Sequence, residues 1–500
     1  MTTDIAPTAT LAGLRLRPGF TAALDETFFR RVQPSGLRQP RLCAFSAACA
    51  QQLGLEPGLA HAPGFAAIFS GNQLPPGADP AAMDYAGHQF GTWVPQLGDG
   101  RAHILGDIDT PTGPVELQLK GSGPTPFCRG ADGRAVLRSS LREFLASEAM
   151  AALGIATTRA LCVTASDQPV MRETIETAAV LTRAAPSHVR FGSFERFHHR
   201  GEQGAVRRLA DYVIGRFHPE LAGHDAPYGK WFDTIVRRTA ILMADWQAYG
   251  FVHGVMNTDN MSILGLTLDY GPYAFMEAFI PDYAPNHTDV NGRYAYAEQA
   301  GIGLWNLRAL AAALGPLLAR ERLEAGLELY WPALLERYGA RMRARLGLAQ
   351  ARADDGELVD ELLTLLARQG ADYPRVLRAL GELRIDAATG DAGPCEAGPV
   401  LDELPDRVAA QPWLARYAAR LRDEGSRDTP RRARMHAVNP VYVLRTHLAQ
   451  RAIEHAERGD DRETAHLLAL LQQPFEARAG CEDYARPAPD AGVPVLSCSS

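Results

Sequence analysis

The stretch HGVMNTDNMSILGLTLDYG, from His253 to Gly271, limits what this chain can fold into more than any other. It sets Asp259 beside Asn260, follows them with an apolar run of strand-like character, and ends with Asp269 ahead of Tyr270 and Gly271. A carboxylate, an amide and a second carboxylate at the ends of a short hairpin can converge on one cation. Hard oxygen donors of this kind suit Mg²⁺ or Mn²⁺ and do not suit zinc. A polar turn between two buried strands would carry the same letters, so a second segment has to separate the two readings. It lies far upstream, where PVELQLK alternates as a strand and ends on Lys120. The amphipathic run LRSSLREFLASEAMAAL then places Glu143 on a helix.

A strand lysine, an acid on the next helix, a distant Asn and a distant Asp-x-Gly make up the working set of a protein-kinase-like nucleotide site. Two turns of related form flank the lysine strand: Gly98, Asp99, Gly100, Arg101, and Ala131, Asp132, Gly133, Arg134. Such turns expose backbone N–H groups to an anion, and the arginine adds paired donors for phosphate. The chain has no GxGxxG, so a standard nucleotide-covering loop is missing. Val255 occupies the place, five residues ahead of Asn260, where a kinase-like loop carries its base. Valine accepts no proton, and the nearest carboxylate is Asp259. Ordinary γ-phosphoryl transfer would therefore lack its usual partner.

Composition removes several classes. A formal net charge of -7 leaves no chain-wide basic excess, so no nucleic acid is expected as partner. The seven cysteines include no CxxC pair, which argues against a zinc knuckle or a thioredoxin-like site and for a reducing compartment. No apolar run reaches membrane-spanning length and the start lacks a signal-peptide core, so a cytoplasmic protein without membrane contact is expected.

At 500 residues the chain should hold two or three units. Texture divides it into an N-terminal extension (1–84), a sheet-rich nucleotide-binding lobe (85–190), a helical lobe with the metal and catalytic loop (191–345), and a helical C-terminal region with an extended tail (346–500). ATGDAGPCEAGPVLDELPD is the best linker candidate. Within the second unit ALCVTAS, PVMRE and TAAVLTRAA read as three short strands, with Arg183 on the last and Arg190 just beyond it. The expected class is α+β, a bilobal protein-kinase-like fold with an N-terminal extension and an added helical C-terminal region. His253 reads as a brace for its loop and His88 as structural, while His198, His199 and His218 read as surface residues without metal-ligand logic.

With Lys120, Glu143, Asp259, Asn260 and Asp269 in hand, the chain closely resembles the SelO family, kinase-like proteins once classed as pseudokinases. The strings YAGHQFG, LQLKG-x-G-x-TP, DGRAVLRSS, HGVMNTDNMS and LDYGPY carry the resemblance, with MHAVNPVYVLR and the terminal SCSS. It implies a protein adenylyltransferase that moves AMP from ATP to Ser, Thr or Tyr hydroxyls of protein substrates and releases pyrophosphate, working as a monomer. A kinase-like γ-phosphotransferase and a non-catalytic ATP-binding scaffold are the alternatives. By resemblance Lys120 is the phosphate-binding lysine, Glu143 its ion-pair partner, Asp259 the proton acceptor, and Asn260 and Asp269 the ligands of Mg²⁺ or Mn²⁺. Arg183 and Arg190 match arginines that hold the far phosphates of a reversed ATP. Gly98, Gly100, Arg101, Asp132 and Gly133 match the remaining nucleotide contacts. Some bacterial members pair a tail cysteine, here Cys498, with one in the activation-loop region. The segment from Asp269 to Tyr296 has no cysteine, which removes that route here.

Overall fold

PVELQLK forms a strand near the middle of an eight-stranded sheet in which every pairing is antiparallel. The computed structural model describes residues 8–385, 397–488 and 496. The strands, in chain order, begin with β1 (Phe29–Arg31), β2 (Arg41–Phe45) and β3 (Ala81–Met83). Next come β4 (Gly87–Gln89) and β5 (Thr92–Val94), which form a separate two-stranded ribbon. The sheet continues with β6 (Ala102–Thr110), β7 (Gly113–Lys120), β8 (Ala135–Val136), β9 (Arg159–Met171) and β10 (Ile175–Ala185). Its order is β1-β3-β6-β7-β10-β9-β2, with β8 on β10. Both edges, β1 and β2, come from the first 84 residues, so that segment completes the sheet, which the sequence places within the lobe 85–190.

ALCVTAS and PVMRE are one strand, β9, where the sequence suggests two. Pro169 does not break it, because β2 pairs only with residues 162–165 of β9 and the stretch around Pro169 borders β10 alone. A missing N–H on the open side costs no ladder bond. The apolar run after Asn260 also differs from expectation. Met261 and Thr267 make a single bridge, while Ser262 bridges Arg190 and Thr267 bridges Thr157. The run thus spends its backbone groups on neighbouring segments, and the paired strands β11 (Phe251–Val252) and β12 (Ala274–Phe275) lie outside it.

The helix Leu137–Ala152 packs on the sheet with Leu141, Phe144, Leu145 and Ala149 fully buried. A long helix, Pro227–Tyr249, ends at Gly250 in the left-handed conformation, with the Gly250 N–H on the Gln247 carbonyl, as the tyrosine-glycine step predicts. It carries the buried Trp231 and Trp246. One apolar core runs from Phe29 through the sheet helix to these tryptophans and on to Leu448 and Leu471. A second core gathers Leu358, Leu362, Tyr373, Leu414 and Tyr417 from the helices Asp355–Gln369, Tyr373–Ala379 and Arg407–Asp423. The helices Thr446–Glu457 and Arg462–Leu471 do not extend that second core. They return to the sheet half and pack on the helix Leu137–Ala152. Gln472 donates to Glu148 at 3.0 Å on that helix, and Arg41 of β2 pairs with Asp461 at 2.7 Å. Among the described residues no helix is long and apolar enough to cross a membrane. Cys395, the first half of the linker candidate and Cys498 lie outside the described residues, and the second half of the linker candidate includes a short helix, Gly398–Leu401.

Candidate active site

Strand periodicity builds the floor of the site. Gln118 and Lys120 share one face of β7, and the register sets Arg183 of β10 opposite Gln118. The Lys120 ammonium meets the Glu143 carboxylate at 2.6 Å, and Arg183 Nε reaches the other Glu143 oxygen at 2.5 Å. Glu143 is buried (1 % exposed) and one carboxylate serves both cations. Burial raises its pKa, but Arg183 and Lys120 outweigh that and hold it below the usual range. The Lys120 pKa is pushed down to about 8 by burial, against the pull of Glu143.

Asp269 comes from the opposite side at a φ of +60°, a left-handed conformation that Asp tolerates better than most residues. One of its oxygens accepts from Arg183 Nη2, and the other accepts from Arg190 Nη1 at 2.7 Å. Lys120 Nζ stands 3.8 Å away. Burial would raise the Asp269 pKa, yet Arg183, Arg190 and Lys120 together hold it well below the carboxylate range. Arg190 also donates to the Asp259 carbonyl at 2.8 Å and lies over the Tyr85 ring at 4.4 Å. Its Nη2 has no hydrogen-bond partner among the described residues and stands 3.9 Å from Asp99.

Asp259 differs. It sits in the short turn Thr258–Asn260, and its Oδ1 is buried without a partner among the described residues. Gln89 approaches Oδ2 at 3.4 Å. Burial pushes its pKa up to about 7, with Arg190 pulling the other way and Asp269 adding to the rise. Asn260 donates its amide to the Val255 carbonyl at 3.0 Å, which leaves its side-chain oxygen for another partner. His253 accepts from the Val255 N–H at 3.3 Å, binds the Leu268 carbonyl at 2.9 Å and stacks on Trp246, so it braces the loop as its position predicts.

The two glycine turns meet at the rim. Gly98 has a φ of +72° and a Cβ there would lie 2.4 Å from the Phe127 ring; at Gly133 it would lie 2.1 Å from the Pro124 nitrogen. Both positions exclude any side chain. Arg101 donates to the Arg134 carbonyl at 3.4 Å and so ties one turn to the other. Asp132 pairs with Arg172 at 2.8 Å. Every sequence-derived site residue except Glu143 lines one cleft of about 560 Å³, and Glu143 stands directly behind Lys120. Lining it are seven cationic side chains (Arg101, Lys120, Arg129, Arg134, Arg172, Arg183, Arg190) and four carboxylates (Asp99, Asp132, Asp259, Asp269), a balance that favours an anion.

A family model described as protein adenylyltransferase SelO matches residues 13–473. The chain belongs to the SelO family. It is 50% identical over 475 residues to a protein nucleotidyltransferase YdiU of Cronobacter sakazakii, covering 95% of this chain and 96% of the relative. Against the protein of the same name from Chromohalobacter salexigens it is 49% identical over 499 residues, 99% of each chain. With that of Bordetella parapertussis the figure is 51% over 490 residues, 96% of this chain and 97% of the relative. As a SelO member the chain is an enzyme of the nucleotidyltransferase class.

The structure adds residues to this SelO site that the sequence reading passes over. Asp99, between Gly98 and Gly100, is a buried hub that accepts from the Met83 N–H, Tyr85 and Gln118 at 3.2, 3.2 and 3.3 Å. Gln118 in turn accepts from Arg183 at 3.1 Å. The signal for Gln118 was in the strand itself, two residues before Lys120 and hence on its face. Tyr85, beneath Arg190, has no such signal beyond its place as the first residue of YAGHQFG.

Proposed function

We propose that the chain is a protein adenylyltransferase with a bilobal, protein-kinase-like fold, moving AMP from ATP to Ser, Thr or Tyr hydroxyls of proteins. In this reading residues 85–190 are the nucleotide half and the helical half supplies Asp259, Asn260 and Asp269. The observation that carries it is the gathering of Lys120, Arg183 and Arg190 on Asp269 beside Asp259, whose Oδ1 is buried without a partner among the described residues. Three cations on one carboxylate form a cradle for a polyphosphate, and Arg190 keeps one N–H group for it. The family and its relatives by name support the nucleotidyl group as what is transferred.

The donor set fits a hard divalent cation. Asn260 and Asp269 offer oxygen, and Asp269 is ionised at any working pH. Mg²⁺ or Mn²⁺ bound there would neutralise phosphate charge. The protein's own groups do the rest. The acceptor hydroxyl attacks the α-phosphorus, the bond from that phosphorus to the bridging oxygen breaks, and pyrophosphate leaves with the electron pair. Arg183 and Arg190 receive the pyrophosphate charge, while Lys120, held by Glu143, stays fixed on the phosphate chain. Asp259 takes the hydroxyl proton, a task for which a buried carboxylate with no other donor on Oδ1 is suited.

Incubation with ATP labelled separately at the α and γ positions tests the reading. Label from the α position is expected in protein and label from γ in free pyrophosphate. Label entering protein from γ alone would show a kinase, although Val255 leaves that chemistry without a base. The Asp259 carboxyl sets a second expectation. A folded pKa raised to about 7 means that the proton stays on below that pH, so the basic form appears only as pH rises through it. Below pH 7 kcat/KM for transfer should therefore climb about tenfold per unit, and the plateau above should end near pH 8, where Lys120 loses its proton. Asp259→Asn should be slow and flat across the same range; a retained acid limb in that variant would assign the titration elsewhere.

A further inference from the structure

A second group of metal-type ligands stands beside the cleft. His88 on β4, and Glu195 and His199 on the helix Phe191–His199, each offer a ligand atom, and these atoms lie within 4.8 Å of one another. Glu195 and His199 are four residues apart and so share one helix face. The sequence alone links neither to His88, and it leaves His199 looking like plain surface.

Glu195 is the decisive residue. It is 1 % exposed, one oxygen meets His88 Nδ1 at 2.6 Å, and the other, Oε2, is buried with no partner among the described residues. A carboxylate in that position is short of one positive or hydrogen-bonding neighbour. Aromatic rings border the group. His199 stacks on Trp93 at 3.8 Å, and Trp305 meets His88 edge-on at 5.4 Å. Two imidazoles and one carboxylate form a nitrogen-rich set that selects zinc-class ions over Mg²⁺. Donors around a tetrahedral zinc stand about 3.3 Å apart, from metal–ligand lengths of about 2.0–2.1 Å. The exposed His199 ring can close the difference from the surface, which leaves the fourth position to water.

We propose that His88, Glu195 and His199 bind one zinc-class divalent cation, apart from the oxygen donors Asn260 and Asp269. Its effect would reach the catalytic loop through backbone. The His88 N–H donates to Thr258 Oγ1 at 2.7 Å, Gln89 reaches Asp259, and the Phe90 N–H meets Asn257 at 3.2 Å and the Tyr294 hydroxyl at 2.9 Å. A cation that fastens His88 to the helix fastens the β4–β5 ribbon over this turn. The site is structural in kind and takes no part in proton or phosphate transfer.

Co²⁺ is the probe, because nitrogen-ligated Co²⁺ of low coordination number absorbs visibly and Mg²⁺ does not compete for such donors. Full-length protein is stripped with a chelator, held in excess Mg²⁺ to occupy oxygen sites, and titrated with Co²⁺. One Co²⁺ per chain with a visible spectrum, displaced by Zn²⁺, is expected. His199→Ala changes an exposed residue and should keep the fold while weakening Co²⁺ binding about 100-fold; His88→Ala should abolish it. Absence of a nitrogen-ligated spectrum, or equal affinity in His199→Ala, would overturn the proposal and leave a histidine–carboxylate brace. The readout is binding, so it stands whatever nucleotide chemistry the cleft performs.

Discussion

Asp269→Asn is expected to end nucleotidyl transfer while leaving a folded but weakened protein. The substitution keeps the shape, and Asn tolerates the φ of +60° as well as Asp does, so the charge alone is removed. Two fully buried guanidiniums, Arg183 and Arg190, then lose their shared carboxylate, and Lys120 loses one of two acids near it. Breaking a buried pair of this kind costs roughly 3–5 kcal/mol, because the stranded charge remains. The measured denaturant midpoint should fall accordingly. Transfer should drop by about 10³-fold or more, since the same change removes the proposed metal ligand and misplaces the cations proposed to hold phosphate. Metal-free ATP should bind no worse, as the cleft has become more positive. Transfer within about tenfold of the parent would sink both the metal-ligand role and the cradle.

The second large effect is a coupling. Lys120→Met and Glu143→Gln should each reduce transfer by about 10²–10³-fold, and the double variant should be scarcely worse than the poorer single one. The reason is geometric. Glu143 does not line the cleft; it acts by holding Lys120 at 2.6 Å and Arg183 at 2.5 Å. Without Glu143 the lysine has no fixed place, and without the lysine half of the purpose of Glu143 is gone. Rates for the four proteins at saturating ATP close the cycle. Strictly multiplicative losses would mean that the two residues contribute independently, and the brace reading would fail.

Much of the candidate site is legible in the sequence because its chemistry is written in short strings. Lys120 ends an alternating strand, Glu143 lies on an amphipathic helix, and Asp259 and Asp269 stand close in sequence. The strand face shared by Gln118 and Lys120 is equally legible. What the sequence could not show depends on contacts between distant segments. Asp99 becomes a hub only because β3 and β7 bring Met83 and Gln118 to it. Glu195 and His199 look like ordinary helix residues until the β4–β5 ribbon sets His88 against them. The merging of two predicted strands into β9 has the same origin. Whether Pro169 breaks a strand depends on which neighbour it faces, and local propensity does not encode neighbours.

The return of the helices Thr446–Glu457 and Arg462–Leu471 to the sheet half bears on how the molecule is made. They cover the helix that carries Glu143, and Gln472 reaches Glu148 one turn along it. As the chain emerges from the ribosome, that helix has to wait about 300 residues for its cover, on the order of half a minute at ordinary synthesis rates. Until then its apolar flank is exposed and the carboxylate that sets Lys120 rests on an unfinished support. Contacts of such long sequence separation close late in folding. A chain truncated before Thr446 would thus hold every residue of the cleft and lack the cover of the helix that carries Glu143.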